Sequence, residues 1–196
     1  MRSFARVLGW LLVVSMVSIP AARSYVLDNQ LWQGPTVTMQ LQLDPTPLGR
    51  TLIDGSTSWG QVAEAALNDW NATMQRMQFG VVRNSTALLG RPNGLNNVFF
   101  SNTVYGDAWG SGVVGVAITY TNSTRRLESD VIFNSNRSWD SYRGNMRASL
   151  DLKRVALHEF GHVVGLDHPD QSGQSVTAIM NSTVGNLDSL AADDRA

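Results

Sequence analysis

The three histidines of this 196-residue chain lie in one stretch of eleven residues, and the chain contains no cysteine. The stretch has the pattern H-E-x-x-H-x-x-G-x-x-H. Imidazole and thiolate are the usual ligands of tight zinc sites, so such a site can be built only here. His158 and His162 are four residues apart and would lie on one face of an α-helix. Gly165 can end that helix in the left-handed conformation, so that the chain turns back and offers His168 as a third ligand.

Glu159 adds a possible catalytic group to this pattern. Three protein ligands leave one coordination position for water, which is the arrangement of catalytic zinc sites. Glu159 follows the first ligand and can act as a general base on a water molecule that zinc activates. The alternative is that the histidines only pack or form hydrogen bonds. By chance alone the full pattern should occur in about one of 10⁵ chains of this length, which favours the metal site.

The residues before and within the motif predict the helix that would carry these ligands. Ser149 can cap it, and Asp151 would lie in its first turn, where negative charge is favoured. Apolar residues recur at helical spacing and indicate the face toward the core: Leu150, Ala156, Leu157, Phe160 and Val164.

The rest of the chain predicts alternating strands and one long helix. Ser58 and Gln61 form a capping box, and we expect a helix from there to about Gln78. Its expected core face comprises Val62, Ala66, Trp70, Met74 and Met77. The predicted strands are 37–43, 79–83, 97–101, 113–121 and 129–134. This order indicates an α/β layer arrangement in one domain, and the net charge of −1 gives no reason to expect nucleic-acid binding.

The elongated histidine motif resembles that of the metzincins, a class of zinc peptidases. These proteins also have a tight methionine-containing turn below the zinc, the Met-turn, and residues 177–181 resemble it with Met180 as the methionine. A methionine alone is more often core filler. Among metzincins the chain is most similar to the matrixins, in four places: residues 128–134, Trp139, residues 155–162 and residues 190–194.

The resemblance implies an α/β (α+β) fold of the metzincin type. It has a twisted, mostly parallel five-stranded sheet with an antiparallel edge strand, two main helices, and a small C-terminal subdomain with the Met-turn. Residues 113–120 would be the edge strand and could pair with an extended peptide through main-chain hydrogen bonds. Residues 171–187 would line a pocket beside the zinc.

The motif and the resemblance together predict a zinc-dependent metalloendopeptidase that acts on peptides or proteins. His158, His162 and His168 would hold one catalytic zinc ion, Glu159 would be the general base, and we expect a monomer. The alternative is a catalytically silent zinc-binding protein of the same fold that binds peptides or surfaces.

Some features depart from the matrixin pattern. Ile132 replaces a histidine of the second, structural zinc site of animal matrixins, so we do not expect that site. The lack of cysteine excludes latency by a cysteine switch. Calcium is common in the family, and Asp107, Asp130 and Asn134 are candidate ligands only by neighbourhood, with surface acids as the alternative. The family usually has a longer last helix than a chain ending at Ala196 allows, so we expect that helix to be truncated.

The first 24 residues have the pattern of a signal peptide. Arg2 and Arg6 precede a short apolar run, and small residues follow it, so cleavage would leave residues 25–196 as the catalytic domain. The run is shorter than the roughly 18–20 residues that span a bilayer. We therefore expect a secreted protein, or a periplasmic one if the source is bacterial, without a stable membrane span. An uncleaved anchor is the alternative.

Overall fold

A computed structural model of the protein describes residues 26–28 and 30–195, so the predicted signal peptide lies outside the described residues. The two α-helices are α1 (Trp59–Asn71) and α2 (Leu152–Val164). The strands, in chain order, are β1 (Val26–Leu27), β2 (Thr36–Gln42), β3 (Gln78–Val82), β4 (Asn96–Ser101), β5 (Gly115–Asn122), β6 (Arg125–Asn134), β7 (Trp139–Asp140), β8 (Leu150–Asp151) and β9 (Leu166–Asp167). A 3₁₀ turn at Asp193–Arg195 follows.

Five strands form the main sheet in the order β3-β2-β4-β6-β5. The first four are parallel to their neighbours, whereas β5 runs antiparallel to β6 and forms one edge. This is the mixed sheet, mostly parallel with an antiparallel edge strand, that the resemblance implied. β6 begins four residues earlier than expected because it continues the hairpin with β5 past a register shift after Tyr120.

The helix α1 begins where predicted and ends earlier than predicted. Ser58 is its N-cap and accepts a hydrogen bond from the Gln61 amide at 3.1 Å. The expectation that it would continue to about Gln78 is wrong. The side chain of Asn71 exchanges two hydrogen bonds with the backbone of Phe79, at 2.7 and 3.0 Å. These bonds direct the chain into β3.

The apolar core lies between the sheet and the two helices. The inward side chains of β2 alternate with outward ones, and Met39 and Leu41 are fully buried. Trp70 of α1 packs against α2, and its indole N–H donates to the Leu157 carbonyl at 2.9 Å. The core therefore fixes α2 against both α1 and the sheet.

Two short strand pairs hold the chain on either side of α2. β8 pairs with β7 immediately before the helix. β9 follows the helix and pairs antiparallel with β1, where Val26 lies opposite Asp167. Among the described residues, no helix combines the length and apolar character needed to cross a membrane.

Candidate metal centre

The start of α2 differs from the expectation by two residues. Asp151, rather than Ser149, is the N-cap, and its carboxylate accepts a hydrogen bond from the Lys153 amide at 3.2 Å. Residues 150 and 151 are extended because they pair with β7, so the helix cannot begin at Ser149. The carbonyl of Ser149 instead accepts a hydrogen bond from the Tyr142 hydroxyl at 2.7 Å.

The end of α2 agrees with the prediction from its glycine. Gly165 has φ of 104° and is in the left-handed conformation, which glycine adopts without a steric cost. Its amide donates to the carbonyls of Gly161 and His162 and so completes the last turn. The chain then reverses through β9 and places His168 beside the helix.

The three histidines converge on a common centre. Each pair of Nε2 atoms is separated by 3.1 Å. Nitrogens held about 2.0–2.1 Å from a tetrahedral zinc ion would stand roughly 3.3–3.4 Å apart, so the observed spacing fits zinc. Among the described residues, His158, His162 and His168 are the group of histidine and acidic side chains whose ligand atoms could share one metal ion.

Each imidazole is oriented by a hydrogen bond at its other nitrogen. Nδ1 of His158 lies 2.8 Å from the Ile179 carbonyl, and Nδ1 of His162 lies 2.8 Å from the Leu166 carbonyl. A carbonyl oxygen can only accept, so Nδ1 carries the proton in both rings and Nε2 presents a lone pair to the centre. Burial lowers the pKa of His158 to about 4 and also lowers that of His162. Both rings are therefore neutral near pH 7, as metal binding requires.

The third ligand is oriented by a side chain. Nδ1 of His168 lies 3.1 Å from Oε1 of Gln171, and the His168 amide donates to the Asp167 carboxylate at 2.7 Å. Gln171 is exposed, unlike the carbonyls that orient the other two rings. The role of Gln171 was not predicted, because its side chain is not part of the histidine motif.

Glu159 lies on the same side of α2 as the cleft and is 5% exposed. Burial raises the pKa of its carboxyl group to about 8. Gly115 of the edge strand lies against this carboxyl group, since an added Cβ there would stand 2.7 Å from Oε1 of Glu159 and 3.0 Å from Val155. Because residue 115 has no side chain, the carboxyl group of Glu159 fits between α2 and the edge strand. This role of Gly115 was not predicted from the sequence.

An open cleft of about 630 Å³ contains the three histidines and Glu159. One side is residues 111–117, which include the start of β5, and the other is residues 182–184. A second cavity of about 480 Å³ adjoins His158. It is lined mainly by residues 176–187, within the segment expected to form a pocket, and by the buried side chain of Arg154.

Met180 is 2% exposed and directly follows Ile179, whose carbonyl orients the His158 ring. A Cβ at Gly161 would stand 2.2 Å from its sulfur, so this turn and α2 are in contact because residue 161 has no side chain. The buried carboxylate of Asp194 accepts hydrogen bonds from the amides of Ile179 and Met180 at 3.0 and 3.2 Å. Asp194 was recognised only as part of a family-like segment, and its contact with the turn was not predicted.

The three candidate calcium ligands do not form a site. The Asp130 carboxylate accepts hydrogen bonds from the Tyr105 hydroxyl at 2.6 Å and the Asn97 amide at 2.8 Å. The side-chain amide of Asn134, at the end of β6, donates to the Val113 carbonyl, which lies just before β5, at 3.1 Å. Asp107 is exposed at the surface. The expectation of calcium therefore gains no support from these residues.

Comparison with known protein families gives a match to the M10 peptidase family model described as Matrixin, over residues 32–196. The matched region contains the main sheet, both helices, the histidine motif and the turn at Met180. No curated protein matches the chain closely enough to be counted as a relative.

Proposed function

The chain belongs to the matrixin family of zinc peptidases, and from this premise we propose that it is a zinc-dependent endopeptidase. The proposal depends above all on one observation: three oriented Nε2 atoms and the carboxyl group of Glu159 face the same open cleft. In this proposal His158, His162 and His168 hold the ion, and Met180 supports the site without taking part in the chemistry.

Zinc, when bound here, would polarise the scissile carbonyl and make an adjacent water molecule more acidic. Glu159 removes a proton from that water and later delivers it to the departing amine. Burial raises the pKa of this carboxyl group in the metal-free protein. The positive charge of a bound zinc ion would lower it again and favour the ionised form that accepts the proton. The neutral rings of His158 and His162 are suited to hold the ion throughout.

The substrate in this proposal is an extended peptide. β5 is an edge strand of the sheet and borders the cleft, so a peptide can lie beside it and form main-chain hydrogen bonds. Such bonds do not depend on side chains and support broad sequence tolerance. The cavity next to His158, lined by residues 176–187, would accept one substrate side chain and provide selectivity.

The proposed role of Glu159 can be tested by replacing it with glutamine. We expect Glu159→Gln to bind one zinc ion like the wild type but to lose cleavage of a mixed peptide library by more than about 100-fold. Glu64→Gln is a matched control, because Glu64 pairs with Arg83 away from the cleft. Full activity in Glu159→Gln would exclude its role as the base. A zinc-loaded wild type that cleaves no peptide would favour the silent alternative.

We also propose that the protein is exported and that its leader is removed. The support is the sequence pattern of residues 1–24. N-terminal sequencing of the exported protein should give a first residue near Tyr25. Retention of the leader would instead indicate an anchored protein.

A further inference from the structure

The carboxyl end of α2 is held by an arginine from the sheet. Arg126 lies in β6, and its side chain is 2% exposed. Nη1 donates to the carbonyls of His162 at 2.9 Å and Val163 at 3.3 Å, and to the Thr119 hydroxyl at 3.0 Å. The guanidinium group thus caps the helix end that carries one zinc ligand. A positive charge at this end is also favoured by the helix dipole.

The same guanidinium group binds the segment that leads into β2. Nη2 forms an ion pair with the Asp28 carboxylate, and Nε donates to the Gln30 carbonyl at 3.2 Å. The Asp28 amide donates to the Gly165 carbonyl at 3.1 Å, and the Trp32 indole N–H donates to the Val163 carbonyl at 2.8 Å. Residues 26–28 and 30–32 are therefore attached directly to the end of α2.

These contacts surround the turn between the second and third ligands. A Cβ at Gly165 would stand 3.4 Å from Oδ1 of Asp28 and 3.7 Å from Nε of Arg126, so both side chains pack against the turn. The next residue, Leu166, pairs with β1 and orients the ring of His162 through its carbonyl. A shift of this turn would move His168 and would also release the ring of His162.

We propose that Arg126 and Asp28 are positioning residues of the metal site, which fix the turn after α2 so that His162 and His168 converge before the ion binds. The proposal depends on the proposed function for the identity of the metal. Neither residue touches the cleft, and each acts through the backbone of residues 162–166. Removal of Arg126 would leave two helix carbonyls and the Asp28 carboxylate without this donor.

Lysine cannot replace Arg126 in this role. Its ammonium group is a compact charge, whereas the guanidinium group donates in several fixed directions at once. We expect Arg126→Lys to lower the zinc affinity about 10- to 100-fold, the range typical for residues that orient metal ligands. Asp28→Asn removes the negative charge and one acceptor oxygen from a single partner of Arg126, and it should lower the affinity by a smaller factor in the same direction.

The test measures zinc affinity by competition with a chromophoric chelator, and the visible spectrum of the Co²⁺-loaded protein. Arg83→Lys is the matched control. Arg83 forms an ion pair with Glu64, its side chain is 69% exposed, and it lies outside the metal site. This variant should leave both readouts unchanged. Arg126→Lys should weaken zinc binding and alter the Co²⁺ spectrum, which reports the ligand geometry.

A merely structural role predicts a different pattern. Arg126→Lys would then lower the urea midpoint of the metal-free protein, while the folded fraction kept the wild-type affinity and Co²⁺ spectrum. That result would overturn the proposal. If Arg126→Lys does not fold, Asp28→Asn decides, and wild-type zinc affinity in that variant overturns it. A wild-type protein that binds zinc but cleaves no peptide would contradict the proposed function and leave the zinc-affinity test of Arg126 valid. A wild-type protein that does not bind zinc would contradict both proposals.

Discussion

Replacement of Gly161 by alanine should separate the turn at Met180 from α2. The added Cβ would stand 2.2 Å from the Met180 sulfur, 3.0 Å from its terminal methyl carbon and 3.1 Å from the Trp70 ring. Met180 and Trp70 are each 2% exposed, so neither side chain can move away into solvent. The sulfur and methyl carbon end a flexible side chain, but burial leaves them little room to rotate away, so we expect the clash to displace the turn and with it the Ile179 carbonyl that orients His158.

Two opposing effects determine how much Gly161→Ala changes the free energy of unfolding. Alanine in place of glycine inside a helix is favourable by about 1 kcal/mol. An extra carbon in a close-packed core costs typically about 1–3 kcal/mol, and a 2.2 Å contact belongs at or above the upper end. We expect Gly161→Ala to lower the free energy of unfolding by about 2 kcal/mol. Because the His158 ring loses its orientation, zinc affinity should also fall, by roughly 10-fold or more.

A double-mutant cycle with Met180→Ala tests the reasoning. The single change Met180→Ala leaves a cavity and should cost about 2–5 kcal/mol in urea unfolding of the metal-free protein. In that background only the 3.1 Å approach to Trp70 remains to oppose the gain of about 1 kcal/mol from alanine in a helix, so Gly161→Ala should be close to neutral. If Gly161→Ala costs the same in both backgrounds, the contact between the turn and the helix does not determine its effect.

Two further predictions concern the cleft and acid stability. Gly115→Ala should displace the carboxyl group of Glu159 and lower peptide cleavage roughly 10-fold or more, while zinc affinity stays at the wild-type value; unchanged cleavage would show that the carboxyl group adapts at no cost. Burial raises the pKa of Asp140, but hydrogen bonds from two backbone amides and Arg50 outweigh it and hold this pKa below its usual value. Ionised Asp140 therefore stabilises the fold above its pKa in the unfolded chain, and this stability is lost as pH falls through its pKa in the folded protein. Asp140→Asn should lower the free energy of unfolding by about 1 kcal/mol at pH 7, and by nothing once the wild-type carboxyl group is protonated. Urea unfolding from pH 7 to 2 measures this, and a difference between variant and wild type that persists at the acid end would contradict the prediction.

The sequence predicts the three ligands well because their geometry is local. Residues four apart meet on a helix whatever the rest of the fold does, and Gly165 ends that helix through its own conformational freedom. The alternation of apolar and polar residues likewise predicts β2 from the sequence, whereas the mixed order of the sheet was implied by the family resemblance. Arg126, Asp194 and Gly115 could not be found in this way, because each acts on the site from a distant part of the chain and has no periodicity of its own.

The errors at the helix ends have a common physical cause. Helix propensity alone allows α1 to continue to about Gln78 and α2 to begin at Ser149. Side-chain and strand hydrogen bonds compete with the helix at both places: Asn71 binds the backbone of Phe79, and Leu150 pairs with β7. Such competition depends on residues that meet only in the folded protein, so a local pattern cannot reveal it.

The groups that orient the three histidine rings differ in how firmly they are themselves held. The carbonyl that orients His158 lies in a turn held by the buried Asp194, and the one that orients His162 lies in a strand pair next to Arg126. His168 depends on the exposed side chain of Gln171, which must lose rotamer freedom to hold the ring. His168 is therefore the ligand whose position depends most on the turn before it. A weakened turn should reduce zinc affinity through His168 first, which is why the attachment of Asp28 and Trp32 to the end of α2 matters for the metal site.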